Sequence, residues 1–231
     1  MKGEYMMGGA SNEERGKLIW CDRCKSYECL ESYAKGKPKY CRAIDEPDIR
    51  GATGEAYLKP ETAKYHRAAS TLIRKQKEAG ANWTRIQESI EFAKELEAHK
   101  VGIAVCASMR WQGAQFAELL RLAGLEPCMV NCMAGGMSRD ETGIPKDWPV
   151  PPCNPVIQAD ILNRAGTELN FIYGLCVGHD TLFIRHSKAP VTVVVSKDRV
   201  TVNNPGAVLF SFYHGNQLWS AYGGEPDNSV S

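Results

Sequence analysis

The chain has 231 residues, 43% of them apolar and 24% charged, with a formal net charge of +1. That length supports one sizeable α/β domain with a small appendage, and the near-neutral balance argues against a nucleic-acid or anionic-membrane surface that works by bulk charge. No apolar run approaches the roughly 18 residues of a transmembrane helix, and the opening residues lack the apolar core of a secretory signal.

Nine cysteines is an odd number. In a chain expected to be cytoplasmic, they read as thiols or metal ligands rather than disulfides. Residues 1–17 are polar and Gly-rich and read as a flexible arm. Residues 18–59 carry little periodic apolar pattern and would need a staple to fold. The staple is visible in the sequence. Cys21, Cys24, Cys29 and Cys41 place four thiols within a short span, and a pair two residues apart can grip one tetrahedral ion from a single turn. We expect a metal-binding knuckle here, holding zinc or an iron–sulfur cluster, because cysteine serves both. Metal binding would then supply folding energy that the small core cannot.

From residue 60 to 222 the pattern changes to that of an α/β domain. Pro60-Glu61 opens a helix that runs to about Gly80. Asn82 is placed to cap a second helix, with Trp83, Ile86, Ile90 and Ala93 on one face. Val101–Cys106 reads as a fully buried strand, 110–123 as a helix stopped by Gly124, and Leu125–Cys132 as the second strand. A long loop over 133–152 carries Gly135-Gly136 and four prolines, and ordered loops of that length are often functional. Asn154-Pro155 suits an N-cap and first turn for a helix ending near Ala165. Leu169–Cys176 is the third strand, a short helix follows Gly178, and Val191–Val195 is a β-branched fourth strand. Pro205 opens a last helix, and residues 223–231 read as a flexible tail. The fold expected is α/β: a Rossmann-like parallel sheet with flanking helices, preceded by the Cys-rich knuckle.

Three cysteines end the strand-like runs: Cys106, Cys132 and Cys176. In a parallel sheet those ends share one edge, where α/β proteins build their sites. Cys153 stands in the loop beside them. Each is followed by a turn and a helix, whose free N–H groups favour thiolate over thiol. We expect Cys106, Cys132, Cys153 and Cys176 to bind a metal ion or cluster. Cys128 lies further inside its strand and is expected to pack in the core. His179 lies close to Cys176 and is assigned a place at the site, as a ligand or an orienting group. Asp180 is read as the cap of the following helix. His186, Lys188 and Asp198 are read as solvated or capping residues. No nucleotide-binding glycine motif, serine-hydrolase elbow or zinc-protease helix is present.

Several segments occur in a familiar order. They are Gly102–Cys106, Cys132 with the glycines after it, Cys153-Asn154-Pro155, Gly174–Asp180, Ser187–Thr192, Lys197–Val200 and Asn204-Pro205. With the N-terminal cysteines, they resemble the family of uncharacterised, predicted metal-binding proteins of bacteria and archaea. The resemblance spans roughly 18–215. It implies metal binding and an intracellular location, and supplies no reaction.

Three functions fit these residues. The first is a cysteine-ligated metalloprotein, with electron transfer or redox sensing if a cluster is held. The second is a thiol redox or sulfur-transfer enzyme using Cys176 as nucleophile, with Cys106, Cys132 or Cys153 resolving it. The third is a non-enzymatic adaptor whose knuckle binds a partner, more in keeping with a protein or a second copy of the chain than with nucleic acid. Membrane association is not expected. The two cysteine groups are read as two sites, or as one if the knuckle folds over the sheet edge.

Overall fold

The computed structural model describes residues 21–23, 49–148 and 152–224. The chain divides into two compact units, Met1–Arg67 and Ala68–Ser231. In the first, a single 3-10 turn covers Cys21–Arg23, and helix α1 covers Ile49–Leu58. Helix α2 covers Pro60–Ala79, with proline at its start and Glu61 in its first turn, as the sequence predicts. Cys24, Cys29 and Cys41 lie outside the described residues, and so does most of the expected knuckle.

The second unit is an α/β domain built on a parallel sheet. Its strands are β1 (Lys100–Val105), β2 (Glu126–Asn131), β3 (Leu169–Tyr173) and β4 (Val191–Val195), in the order β2-β1-β3-β4. Each strand pairs parallel to its neighbour. Helix α3 (Arg85–Glu95) precedes β1, and α4 (Arg110–Leu122) links β1 to β2. A one-turn helix α5 (Arg139–Thr142) and helix α6 (Pro155–Ala165) lie between β2 and β3. Helix α7 (Val177–His186) links β3 to β4, and a 3-10 segment (Pro205–Phe210) precedes α8 (Phe212–Ala221).

The apolar pattern explains the layering. Central strands of a parallel sheet are buried on both faces, so they read as continuous apolar runs. β3 is buried throughout, and β1 is buried from Val101 onward. On one face Ile103, Val105 and Phe171 pack with Phe116 and Leu120 of α4, and Ile86 and Ile90 of α3 pack against that cluster. On the other, Ala104 and Ile172 pack with Ala159 and Leu162 of α6 and Phe183 of α7. The result is three layers, with helices on both sides of the sheet. Among the described residues, no helix is long and apolar enough to cross a membrane.

Two local expectations need correction. Asn82 is not the cap of α3. Thr84 is, with its side chain accepting from the Gln87 N–H at 3.3 Å. The third strand also stops three residues before Cys176. Gly174 takes φ +68° there, and a Cβ on it would stand 2.1 Å from the Met109 sulfur. Only glycine fits that turn at that distance. Asn154 does cap α6, accepting from the Ile157 N–H at 3.0 Å.

A buried polar network ties β3 to the turn before it and to the segment that follows α7. Asn170 is fully buried, its Oδ1 accepting from the Thr167 hydroxyl at 2.8 Å and its Nδ2 donating to Ser187 Oγ at 2.8 Å. It lies opposite Gly102, where an added Cβ would meet Asn170 Oδ1 at 2.0 Å and Leu162 Cδ1 at 2.8 Å. Gly102→Ala should therefore displace Asn170 and lose at least part of that network. We expect a loss of about 1–3 kcal/mol, the usual scale of overpacking a core, read as a lower urea midpoint with an unchanged slope.

Candidate functional site

The winding of the chain reverses between β1 and β3. The connection from β1 goes outward to β2, and the connection from β2 returns across β1 to β3. The crevice at the carboxyl ends of such a strand pair is the usual binding place of an open α/β sheet. Cys106 directly follows β1, and Cys132 directly follows β2. Cys176 is the N-cap position of α7, two residues after Gly174. Backbone bonds hold the ends in register: the Cys106 N–H donates to Tyr173 O at 3.2 Å, and the Cys132 N–H to Val105 O at 2.9 Å. The Asn154 N–H donates to Cys132 O at 2.7 Å and brings the loop residue Cys153 alongside.

The four sulfurs form two pairs. Cys153 Sγ donates to Cys132 Sγ at 3.7 Å, and Cys132 Sγ also accepts from the Ala107 N–H at 3.3 Å. Lys197 Nζ stands 2.7 Å from Cys106 Sγ and 3.5 Å from Cys176 Sγ. Cys106 and Cys132 are buried, Cys153 is half-buried and Cys176 is exposed. All six cysteines among the described residues are free thiols. No three His, Cys, Asp or Glu side chains among the described residues already close on one point as a metal group would.

Lys197 sets the electrostatics. Burial opposes ionisation of the Cys106 thiol, but the hydrogen bonds from Lys197 and Ser108 outweigh it and bring its pKa below the ordinary thiol value. Burial also opposes the Lys197 charge, and the sulfurs of Cys106 and Cys176 more than restore it, raising its pKa. Burial pushes the Cys153 thiol up to about 12, reinforced by the Cys132 sulfur and, at longer range, by Cys106 and Cys176. The Cys153 sulfur thus feels the charge of the other three.

Sequence reasoning placed Lys197 only within a familiar segment and gave it no role. Its signal was position: a lysine just past a strand, on the edge where thiols gather. Asp198 explains why it stays there. Its Oδ1 accepts from the N–H groups of Val200 and Thr201 at 2.8 and 3.0 Å, which closes a tight turn behind Lys197. Those bonds hold the Asp198 carboxyl below the usual carboxylate range.

His179 and Asp180 lie in the first turn of α7. Burial, and then the Lys197 charge, depress the His179 pKa and favour neutral imidazole. Asp180 is not the helix cap. The N-cap position is Cys176, and Asp180 Oδ1 is buried with no hydrogen-bond partner. Cys128 is half-buried and packs partly against the core face shared with Cys132. Cys21 is exposed in its short turn.

A cleft of about 700 Å³ opens at this edge, with Cys153 and His179 among its lining residues. His186, expected to be solvated or capping, also lines it.

Asp180 gives the site a pH signature. Burial raises its carboxyl to about 6, against an opposing pull from Lys197. The folded state therefore binds a proton that the unfolded state has already lost. This contribution to stability is present at low pH and declines as pH rises through about 6. Asp180→Asn cannot ionise. Relative to the parent chain, it should gain stability between about pH 4 and pH 6, the range between unfolded and folded carboxyl values, and hold that gain above it. Urea denaturation of both chains across this range measures the difference.

An uncharacterized protein of Methanocaldococcus jannaschii, MJ0455, is 40% identical over 134 residues, covering 57% of this chain and 69% of that protein. Residues 41–194 match the family model described as protein of unknown function (DUF1847). The matched span holds Cys41 and all four sheet-edge cysteines, and ends just before Lys197. With more than half of its length inside that match, the chain belongs to the DUF1847 family.

Proposed function

We propose that the chain is a cysteine-ligated metalloprotein whose working site is the carboxyl edge of the sheet. Cys106, Cys132, Cys153 and Cys176 are its donors. The observation that carries this reading is the contact between the Cys132 and Cys153 sulfurs, beside two more sulfurs, Cys106 and Cys176, that share Lys197 at the same sheet edge. The donor chemistry fits. Thiolates select zinc, copper(I) and iron–sulfur clusters over hard cations. The 3.7 Å between Cys132 and Cys153 is close to the roughly 3.8 Å that two thiolates take on one tetrahedral ion with zinc–sulfur bonds near 2.3 Å. The other pair is spread around the Lys197 ammonium. That wider set suits a cluster better than one closed zinc shell. A cluster would supply one-electron redox chemistry, tuned by burial and by hydrogen bonds to sulfur. Lys197 is the residue placed to make such bonds. His179 sits beside the site as an uncharged orienting group. The spacing of Cys21, Cys24, Cys29 and Cys41 supports a second, structural site, for which zinc is the natural ion.

One observation favours a second reading. Cys176 is exposed at the start of α7, with Lys197 3.5 Å away. A cationic neighbour and a helix N-terminus are what activate a nucleophilic thiol. In that case the chain works as a thiol redox or sulfur-transfer enzyme.

Anaerobic purification, with metal and acid-labile sulfide analysis and a visible spectrum, separates the two. We expect iron and sulfide, and the double variant Cys132→Ser/Cys176→Ser should lose both while keeping metal at the N-terminal cysteines. Full iron and sulfide in the double variant would overturn the sheet-edge assignment. A colourless parent protein that alkylates rapidly and only at Cys176 would favour the enzyme.

A further inference from the structure

We infer that Cys132 and Cys153 are a thiol–disulfide exchange couple, reached through the adjoining cleft and suited to small neutral or cationic organic disulfides. This goes beyond metal binding, although it uses two of the same sulfurs.

The geometry of the pair comes first. The sulfurs are 3.7 Å apart, and the two chain segments are joined by the Asn154 N–H to Cys132 O bond of 2.7 Å. A disulfide requires the two Cα atoms to lie within about 4.4–6.8 Å. With the backbones hydrogen-bonded at this point and the sulfurs already in contact, side-chain rotation is the movement asked of the pair. Access also differs between the two. Cys132 is 3% exposed, whereas Cys153 is half-buried and lines the cleft. One sulfur is available for attack, and its partner waits behind it.

The cleft then selects the reagent. Its volume is about 700 Å³, room for a small organic molecule. Met137, Ile144, Ile157 and Leu182 give it apolar walls, and its carboxylates are Glu141 and Asp160. No lysine or arginine lines it. Arg164 pairs with Asp160 at 2.8 Å, so the negative charge of the lining rests on Glu141, which disfavours entry of an anionic disulfide.

The chemistry balances. Burial favours the Cys153 thiol over its thiolate, so exchange starts from the minor deprotonated form. Its sulfur attacks one sulfur of R–S–S–R, forming a mixed disulfide, and the released R–S⁻ takes up the proton that Cys153 gave up. The Cys132 sulfur then attacks the Cys153 sulfur, and the second R–SH departs with the Cys132 proton. Two protein thiols are oxidised, and one organic disulfide is reduced to two thiols.

The test treats the full chain as purified with cystamine, 2-hydroxyethyl disulfide or oxidised glutathione, with intact mass, peptide mapping and metal content read on each sample. We expect loss of two hydrogens, with the bond mapped to Cys132 and Cys153. Cystamine should react about tenfold or more faster than the anionic glutathione disulfide, a modest electrostatic discrimination. Cys132→Ser should stop at a mixed disulfide on Cys153, and Cys153→Ser should take up no reagent at Cys132. A bond mapped elsewhere, a Cys132→Ser chain without an adduct at Cys153, or glutathione disulfide reacting as fast as cystamine would overturn the inference. A chain that carries metal but stays unlinked after chelation refutes the couple and leaves the metal reading standing. A metal-free chain that links does the reverse.

Discussion

The central strand β1 carries the register on which everything else rests. It is hydrogen-bonded to β2 on one side and β3 on the other, in parallel. Burial on both faces leaves no alternative pairing for its apolar run, since a slip by one residue would exchange the contents of the two cores. One of those cores holds Cys106 and Cys132, and the other holds Phe116 and Phe171 packed edge to face. Gln158 of α6 reinforces the alignment from outside the ladder. Its amide donates to Val105 O at 3.2 Å and to Val130 O at 2.7 Å, clamping the last residue of β1 to the penultimate residue of β2. The spacing of the strand-end sulfurs is thus inherited from the sheet.

Much of this was legible in the sequence. Continuous apolar runs marked β1 and β3, a β-branched run marked β4, and Asn154-Pro155 marked the start of α6. These signals are local, and each local preference agrees with the tertiary role. The convergence of Cys106, Cys132 and Cys176 was also legible, because parallel strands put equivalent ends on one edge. Other features were not. The order of strands, and hence the crevice between β1 and β3, depends on a return crossover that leaves no mark in short windows. The partners of Asp180 could not be read either. An acid near a helix start looks like a cap, and only the geometry shows its oxygen buried and unbonded. Lys197 was legible as a residue but not as a neighbour of Cys106, 91 positions away in the chain.

The site has an unusual balance of charge. Lys197 is its one closely placed cation among the described residues, and it is held by two sulfurs. That arrangement stabilises negative charge on sulfur whether or not anything else is bound. Metal ligation, nucleophilic attack and oxidation all need deprotonated sulfur. Lys197 favours the deprotonated form at Cys106, whereas burial keeps the Cys153 thiol protonated, so the chemistries considered for this edge differ both in which sulfurs meet and in which carry charge.

The edge strand β4 carries a small irregularity. Its pairing with β3 runs Ile172 to Val193 and then Tyr173 to Val195, so Val194 is an extra residue. Val194 and Val195 consequently both pack toward the same core, while Val191 and Val193 pack toward the other. Bulges re-aim the chain that follows them. Here the chain that follows is Ser196 and then Lys197. The extra residue acts as a spacer that advances the ammonium by one position relative to the ladder, so the reach of a single positive charge is set by counting along an edge strand. Arg85 of α3 fastens that strand from outside, donating to Val193 O and to the Thr192 hydroxyl. A helix on the sheet face opposite the cysteine-bearing core thereby holds the ruler against which the sulfurs are measured.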